Sequence, residues 1–192
     1  DSLAEIFESE GRELLPDPWG ARDAYIAVIS DRSPENVERW LARHAARPLG
    51  PEERTRALSL LEMQRSALLM YTSCGWFFDD VSRIETVQIL RYAARAIELA
   101  KDLSGRDCAP EFLRMLERAP SNIPELGNGA RVYELLVRPG RITKARLAAH
   151  YGITSLFPGF APAFSEGCWS FSGTASVPEK TSLSEESPAQ GA

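Results

Sequence analysis

The sequence predicts an all-α fold, a multi-helix bundle built on a long central helical hairpin and followed by a disordered C-terminal tail. Three observations carry this prediction. Helix-start signals, a capping residue before proline, recur at Asp17-Pro18 and Ser33-Pro34. Residues 51–71 and 82–103 have the apolar spacing of two long helices. Strand signals are nearly absent before residue 150.

Proline placement divides the first fifty residues into three predicted helices. Pro16 closes the first helix, and a capping residue followed by proline at the first helical position opens each of the next two. The three helices are predicted to run from Leu3 to Leu15, from Pro18 to about Ser30, and from Pro34 through Val37, Trp40 and Leu41.

The central hairpin is predicted from the two longest helical patterns. Pro51 opens a helix that reaches about Tyr71, and its residues from Leu58 onward are apolar on nearly every face, which indicates burial. After a turn, Ser82 and Glu85 have the spacing of a capping box for a helix that reaches Leu103. Its predicted core positions are Ile84, Val87, Leu90, Ala94 and Ile97, and its polar stripe is Gln88, Arg91, Arg95, Glu98 and Asp102.

The last part of the chain changes character. Three shorter helices are predicted over Ala109–Arg118, Gly129–Val137 and Thr143–Tyr151. Beyond Phe157 the chain is rich in Pro, Gly, Ser, Glu and Thr, and it cannot bury enough apolar surface to offset the entropy lost on ordering. We therefore divide the chain into a helical domain over residues 1–157 and a disordered tail over residues 158–192.

Composition excludes several classes of function. The net charge of −5 and the absence of clustered lysine or arginine argue against nucleic acid as a partner. No apolar run approaches the ~20 residues that span a bilayer. Cys74, Cys108 and Cys168 show no C-x-x-C spacing, and His44 and His150 lack carboxylates at ligand spacing. The sequence therefore predicts no disulfide framework, metal or cofactor, and a reducing cytoplasm is the expected location.

The turn over Met70–Asp80 is the most unusual segment. Connectors favour small polar residues, yet this one contains the run Trp76–Phe78 followed by Asp79 and Asp80. Aromatic faces pack on pyranose rings and carboxylates accept hydrogen bonds from sugar hydroxyls, so the combination suits carbohydrate recognition. The alternative is that the aromatic residues belong to the core and that one aspartate caps the following helix.

Two other segments have alternative interpretations. Glu62 and Arg65 lie one helical turn apart in the apolar stretch before the turn, where they either pair with each other or face a cleft. The polar loop over residues 121–125 either approaches the turn or is a surface connector. No serine has the context of a catalytic nucleophile, and no nucleotide-binding motif occurs.

Several motifs resemble a bacterial family. The matching stretches are Asp17–Ile26, Arg32–Glu38, Leu61–Arg65, Leu69–Asp80, Ile84–Ile97 and Ser121–Pro124. They resemble the domain of unknown function numbered 3536, which follows the catalytic domain in proteins similar to glycoside hydrolase family 57. The resemblance covers about residues 1 to 157 and is most specific over Ser73–Asp80.

The resemblance implies a role in α-glucan chemistry. Family 57 enzymes carry a glutamate nucleophile and an aspartate acid/base on a distorted barrel and retain configuration. A helical bundle after the barrel contributes an Asp-Trp-x-Phe-like segment to the substrate cleft. Ser73–Phe78 sits at that place, with Cys74-Gly75 where many relatives have Ser-Asp. The resemblance leaves open whether Asp79 or Asp80 supplies the missing polar contact.

Our leading hypothesis is that the chain is the helical C-terminal part of a family 57-like hydrolase or glucanotransferase. It contains no strand-rich barrel, so we predict no catalytic residue and no activity of the chain alone. Its expected partners are the N-terminal catalytic barrel and an oligosaccharide. The predicted substrate-binding residues are Ser73, Trp76, Phe77, Asp79 and Asp80, supported by Glu62 and Arg65.

The second hypothesis is a non-catalytic helical interaction or structural module. Its aromatic turn would pack on a neighbouring domain and contact no sugar. Exposure of Trp76 and Asp79 onto a groove favours the first hypothesis, and full packing of Trp76 within the bundle favours the second.

Overall fold

The computed structural model describes residues 2–154, 157, 163–166 and 169–172, and it forms two compact units divided after Arg141. Residues 2–141 contain helices and turns but no β-strand, which confirms the predicted all-α fold. The α-helices of this first unit are α1 (Ser2–Gly11), α2 (Pro18–Ala24), α3 (Ile26–Ser30), α4 (Pro34–His44), α5 (Pro51–Leu69), α6 (Cys74–Phe77), α7 (Ile84–Ser104), α8 (Ala109–Leu116) and α9 (Gly129–Val132). A π-helical segment (Tyr133–Val137) and a 3-10 turn (Arg138–Gly140) complete the unit.

The second unit begins with α10 (Lys144–Thr154). Two short strands follow, β1 (Ala163–Glu166) and β2 (Trp169–Ser172), and they pair antiparallel with Phe164 opposite Phe171. Both strands fall in the segment predicted as a disordered tail, for which the sequence pattern predicts no strand. The expectation of disorder for the rest of residues 158–192 lies outside the described residues.

Proline-based helix starts are found at the predicted positions. Asp17 caps α2 by accepting a hydrogen bond from the Gly20 amide at 3.0 Å, with Pro18 as the first helical residue. The helix predicted to continue to Ser30 is instead divided at Tyr25 into α2 and α3. At the start of α5, the Glu53 carboxylate accepts the Gly50 amide at 3.0 Å. These starts depend on local bonds within one turn, which explains why the sequence reveals them.

The predicted capping box at the start of α7 is wrong. Arg83 occupies the N-cap position in an extended conformation and makes no side-chain cap bond within the described part of the chain. Ser82 is engaged elsewhere, because its hydroxyl and its amide both donate to Asp80, at 2.6 and 2.8 Å. At the other end, Gly105 ends α7 with φ +76°, a left-handed conformation that glycine adopts without steric cost.

Two hydrophobic cores share α7. The larger core joins α1 to α5 with the C-terminal half of α7, and the most extensive helix contact in the unit is that between α5 and α7. The smaller core packs Val87, Leu90 and Ala94 of α7 against Val132, Tyr133 and Val137. The predicted central hairpin is therefore confirmed, and its second helix connects two separate hydrophobic clusters.

Core predictions on the hairpin hold in the middle of the helices and fail at their ends. Leu60, Leu61 and Met63 of α5 are buried as expected. Ile84, predicted to be a core residue, is 77% exposed. It lies in the first turn of α7, where no helix covers it among the residues described. Apolar periodicity identifies the buried face of a helix but not the point where its neighbours end.

Candidate functional site

The turn between α5 and α7 places its aromatic side chains in solvent. Trp76 and Phe77 of α6 are each 76% exposed, and Tyr71 before them is similarly exposed. Phe78 is partly exposed and packs edge to face on Phe77, with ring centroids 5.4 Å apart. The interpretation of these rings as core residues is therefore wrong.

The backbone of the turn is fixed against α7. The Thr86 hydroxyl donates to the Gly75 carbonyl at 2.7 Å. A Cβ atom at position 75 would lie 2.4 Å from Cγ1 of Ile89, so any side chain there would force Ile89 to move. Glycine thus allows α6 to approach α7 closely. The exposed rings are therefore attached to a backbone that contacts with Thr86 and Ile89 of α7 hold in place.

Asp80 is a buried anchor for the turn. The residue is 9% exposed, and its carboxylate accepts hydrogen bonds from Ser82, from the Ser121 hydroxyl at 3.0 Å, and from the Asn122 amide. The hydrogen bonds from the Ser82 hydroxyl and amide are the main cause of a pKa lowered to about 2. Burial opposes them, and the bonds from Asn122 and Ser121 add smaller lowering effects. Asp80 is therefore ionised at neutral pH, and its acceptor positions are occupied within the protein.

The polar loop after α8 reaches the turn. In addition to the bonds with Asp80, the Asn122 side-chain amide donates to the Asp79 carbonyl. The loop is itself ordered by bonds from the Ser121 amide to the Gly127 carbonyl and from the Ile123 amide to the Ser121 hydroxyl. Of the two interpretations left open for this loop, the structure supports the approach to the turn. Sequence reasoning did not identify Ser121 and Asn122 as partners of Asp80.

The remaining predicted residues of the turn face outward. The Asp79 side chain is 77% exposed, and it forms one ion pair with Arg83, with 3.3 Å between Oδ1 and Nε. Ser73 is exposed, and its carbonyl accepts the Trp76 amide at 3.2 Å. Trp76 and Asp79 thus present an aromatic ring and a carboxylate at the surface of the same turn.

Glu62 and Arg65 are paired and lie below the turn. The Glu62 carboxylate accepts from Tyr25 at 2.8 Å, Arg32 at 2.6 Å and Arg65 at 3.3 Å. Burial alone would raise the pKa of Glu62, but the hydrogen bonds from Arg32 and Tyr25 hold it below its ordinary value. Met70 is eight residues further along α5, about 12 Å away. Glu62 is therefore a paired residue within the helical unit and does not lie at the turn.

The turn does not contribute to either of two cavities lined by described residues of the helical unit. Neither lining includes a residue of Met70–Asp80. Within the described ranges, no three His, Cys, Asp or Glu side chains are grouped as metal ligands. No helix among those residues is both long and apolar enough to cross a membrane. The turn is an exposed surface rather than an enclosed site.

Comparison with known proteins gives one match. Residues 1–182 match the family model described as a domain of unknown function, DUF3536. No curated protein and no solved structure is significantly similar.

Proposed function

This chain belongs to the DUF3536 family, and we propose that its aromatic turn completes the oligosaccharide cleft of a glycoside hydrolase family 57-like enzyme. The substrate is an α-glucan-type oligosaccharide. The catalytic carboxylates belong to an N-terminal barrel outside this chain, and the enzyme is a retaining hydrolase or glucanotransferase. The chain alone has no hydrolytic activity.

The observation that carries this proposal is the joint exposure of Trp76 and Asp79 on a fixed backbone. Leaving an aromatic ring such as Phe77 in water forgoes about 1.5–3 kcal/mol of burial. Exposed rings on a turn that Thr86, Ile89 and Asp80 hold in place support a partner outside the helical unit. A preorganised surface also loses little entropy on binding.

The contacts of the turn suggest a role for each residue. Trp76 offers an aromatic platform for a pyranose ring, with Phe77 beside it and the Ser73 hydroxyl at the start of α6. Asp79 is the carboxylate free to accept from sugar hydroxyls, because the acceptor positions of Asp80 are occupied. Asp80 is therefore a positioning residue.

Two residues of the proposed site act from further away. Glu62 and Arg65 join α5 to the segment carrying Tyr25 and Arg32, and so they hold the helix that leads into the turn. Gly75 stands where many family 57 relatives have aspartate, and Ile89 leaves no room for a side chain there. This packing supports Asp79 as the polar group in the present chain.

The alternative function is a docking module without sugar contact. One observation favours it: Leu68 at the end of α5 and Ile84 at the start of α7 are 57% and 77% exposed. Aliphatic side chains do not recognise hydroxyl groups, but they suit a protein surface. Under this alternative the whole turn packs on a neighbouring domain.

The deciding experiment measures turnover of maltoheptaose by the full-length gene product. Trp76→Ala is expected to lower kcat/KM about 30-fold, from roughly 2 kcal/mol for a large aromatic contact, with Tm unchanged. Phe157→Ala is the matched control, because it removes a ring of comparable exposure outside the turn. Full activity of Trp76→Ala would contradict the proposal.

The alternative is tested in the same preparation. Docking predicts that Leu68→Ser and Ile84→Ser lower Tm and detach the helical region, and that Trp76→Ala lowers stability and kcat/KM together. The carbohydrate proposal predicts that the two serine variants keep most of the activity.

A further inference from the structure

We propose that a cavity between α7, α8 and the π-helical segment binds a neutral polyhydroxylated molecule of about monosaccharide size. This inference does not rest on the proposed function, because other residues form the cavity. Glu98, in its wall, is fourteen residues from Ile84, which is about 21 Å along α7. The cavity is therefore distinct from the aromatic turn.

The size of the cavity suits a small ligand. Its volume is about 210 Å³, which corresponds to roughly seven water molecules at their share of ~30 Å³ in the liquid. Ala94, Ile97 and Leu113 provide an apolar part of the wall, against which the C–H face of a ring can pack. Ala109, Tyr133 and six charged side chains form the rest of the lining.

Tyr133 is the polar group that indicates a ligand. The residue is 5% exposed and lines the cavity, and its hydroxyl oxygen, which solvent still reaches, has no hydrogen-bond partner among the described residues. Its ring is fixed by an edge-to-face contact with Phe112, with centroids 6.0 Å apart. The donor and acceptor positions of this hydroxyl are therefore open to an oxygen or a nitrogen of a molecule bound in the cavity.

The π-helical segment gives Tyr133 an unusual backbone setting. Tyr133 is the first of its five residues, directly after α9. Segments of this kind are rare and occur often at functional sites. Burial raises the pKa of the Tyr133 hydroxyl against the smaller lowering effect of Arg141, which lines the same cavity.

The charges of the wall balance. Each cation in the lining already has a carboxylate partner, and these pairs are Lys101–Asp107 at 2.7 Å, Arg138–Glu134 at 2.7 Å, and Arg141–Glu98. The lining contains three cationic and three anionic side chains. A ligand with a net charge would meet attraction and repulsion of similar size, whereas a neutral ligand meets neither.

The side chains that line the cavity have both unused hydrogen-bond donors and unused acceptors. Arginine and lysine keep unused N–H groups after a single ion pair, and these need acceptors. Asp102 has no bonded partner in the described part of the chain, and its exposed carboxylate can accept hydrogen bonds from a ligand. Each hydroxyl of a polyol both donates and accepts, so one molecule can satisfy both kinds of group together with Tyr133. This balance favours a polyol.

The test is a titration of the chain with D-glucose, followed by amide chemical shifts in the NMR spectrum. We expect saturable binding in the millimolar range, with shifts centred on Glu98, Tyr133 and Arg141. Tyr133→Phe keeps the ring and removes the hydroxyl, and should weaken binding about tenfold. Tyr92→Phe is the control: it removes a tyrosine hydroxyl from α7 that does not line the cavity, and it should leave the affinity unchanged.

A second variant and two further probes keep the test decisive. Ala109→Leu should reduce binding by filling the cavity, while Trp76→Ala should not affect it. Absence of saturation with glucose, or shifts confined to the Met70–Asp80 turn, would overturn the proposal. Tighter binding of inorganic phosphate or glycine at Tyr133 would also overturn it, since the site would then select an anion or a zwitterion.

Discussion

Two regions of the helical hairpin contain residues of a type unusual for their place: the Glu62 cluster (Glu62 with Tyr25, Arg32 and Arg65) and the aromatic turn that follows it along the chain. Glu62 is a charge in an apolar helix, and the structure surrounds it with hydrogen bonds from Tyr25, Arg32 and Arg65. Trp76 and Phe77 are apolar residues in a connector, and the structure leaves both exposed.

The difference shows which of the two unusual regions indicates a binding partner. A charge can be satisfied by a few directed bonds from neighbouring helices, and three donors suffice for Glu62. Aromatic rings need area, and no helix of the described chain covers the rings of α6. The residue whose environment is completed internally is structural, and the surface left incomplete is the better candidate for function.

The largest expected effect is that of removing the Glu62 carboxylate. Glu62→Ala leaves two arginines and the Tyr25 hydroxyl without their common acceptor, so the free energy of unfolding should fall by about 3 kcal/mol. Urea denaturation measures the change. Glu52→Ala, in the exposed first turn of the same helix, is the control and should change stability by less than about 0.5 kcal/mol. Equal effects would show that the cluster is dispensable.

The next effect tests how the turn is fixed to α7. Gly75→Ala places a methyl group against Ile89 and should cost about 1–2 kcal/mol of stability through overpacking. Combining it with Ile89→Ala makes room for the new methyl group. The double-mutant cycle should then show favourable coupling between the two positions. Strict additivity would mean that the turn does not lie on Ile89.

A pH effect sharpens the role of Asp80. Its pKa is lowered from 3.8 to about 2, so its bonds stabilise the fold above pH ~4, and this contribution is lost as the pH falls toward 2. Asp80→Asn should be less stable than wild type at neutral pH, and the difference should shrink over that window. Thermal unfolding between pH 6 and about 2 measures it. A constant difference would exclude a role for the ionised carboxylate.

The smallest expected effect is that of the exposed ring on stability. Trp76→Ala removes a side chain that is mostly in water, so stability should change by no more than about 0.5 kcal/mol. Chemical denaturation of this chain measures the change, and Met115→Ala, another exposed apolar residue, is the control. A loss as large as that of Glu62→Ala would place Trp76 in a packed contact and remove the contrast between the two regions.

Sequence patterns predicted the fold well where structure depends on near neighbours. The proline-based starts of α2, α4 and α5 and the long hairpin are found as expected. Predictions failed where the outcome depends on a distant residue. The sequence predicts Ser82 as a cap, but its hydroxyl donates to Asp80. The same carboxylate accepts from Ser121, which is 41 residues away from Asp80. The strands over residues 163–166 and 169–172 were also missed, although Trp169–Ser172 alternates apolar and polar residues, because the surrounding segment is rich in Pro, Gly and Ser.

The candidate site was found by its composition but not by its arrangement. The run Trp76–Asp80 is unusual enough in a connector to be noticed without a structure. The two aspartates are adjacent and chemically identical, so sequence could not decide that Asp79 faces solvent and Asp80 is buried. The orientation of Asp80 depends on the position of the loop after α8, which local patterns do not encode.

The sequence by itself determined the helices, their approximate limits, the family resemblance and the place of the unusual turn, because these follow from side-chain spacing and local capping bonds. Only the tertiary structure decided which residues of that turn serve the fold. Packing against Ile89 and Thr86 fixed Gly75, the loop at Ser121 and Asn122 engaged Asp80, and Trp76 and Asp79 remained exposed. Burial depends on which helices end beside a residue, and that information is distributed over the whole chain.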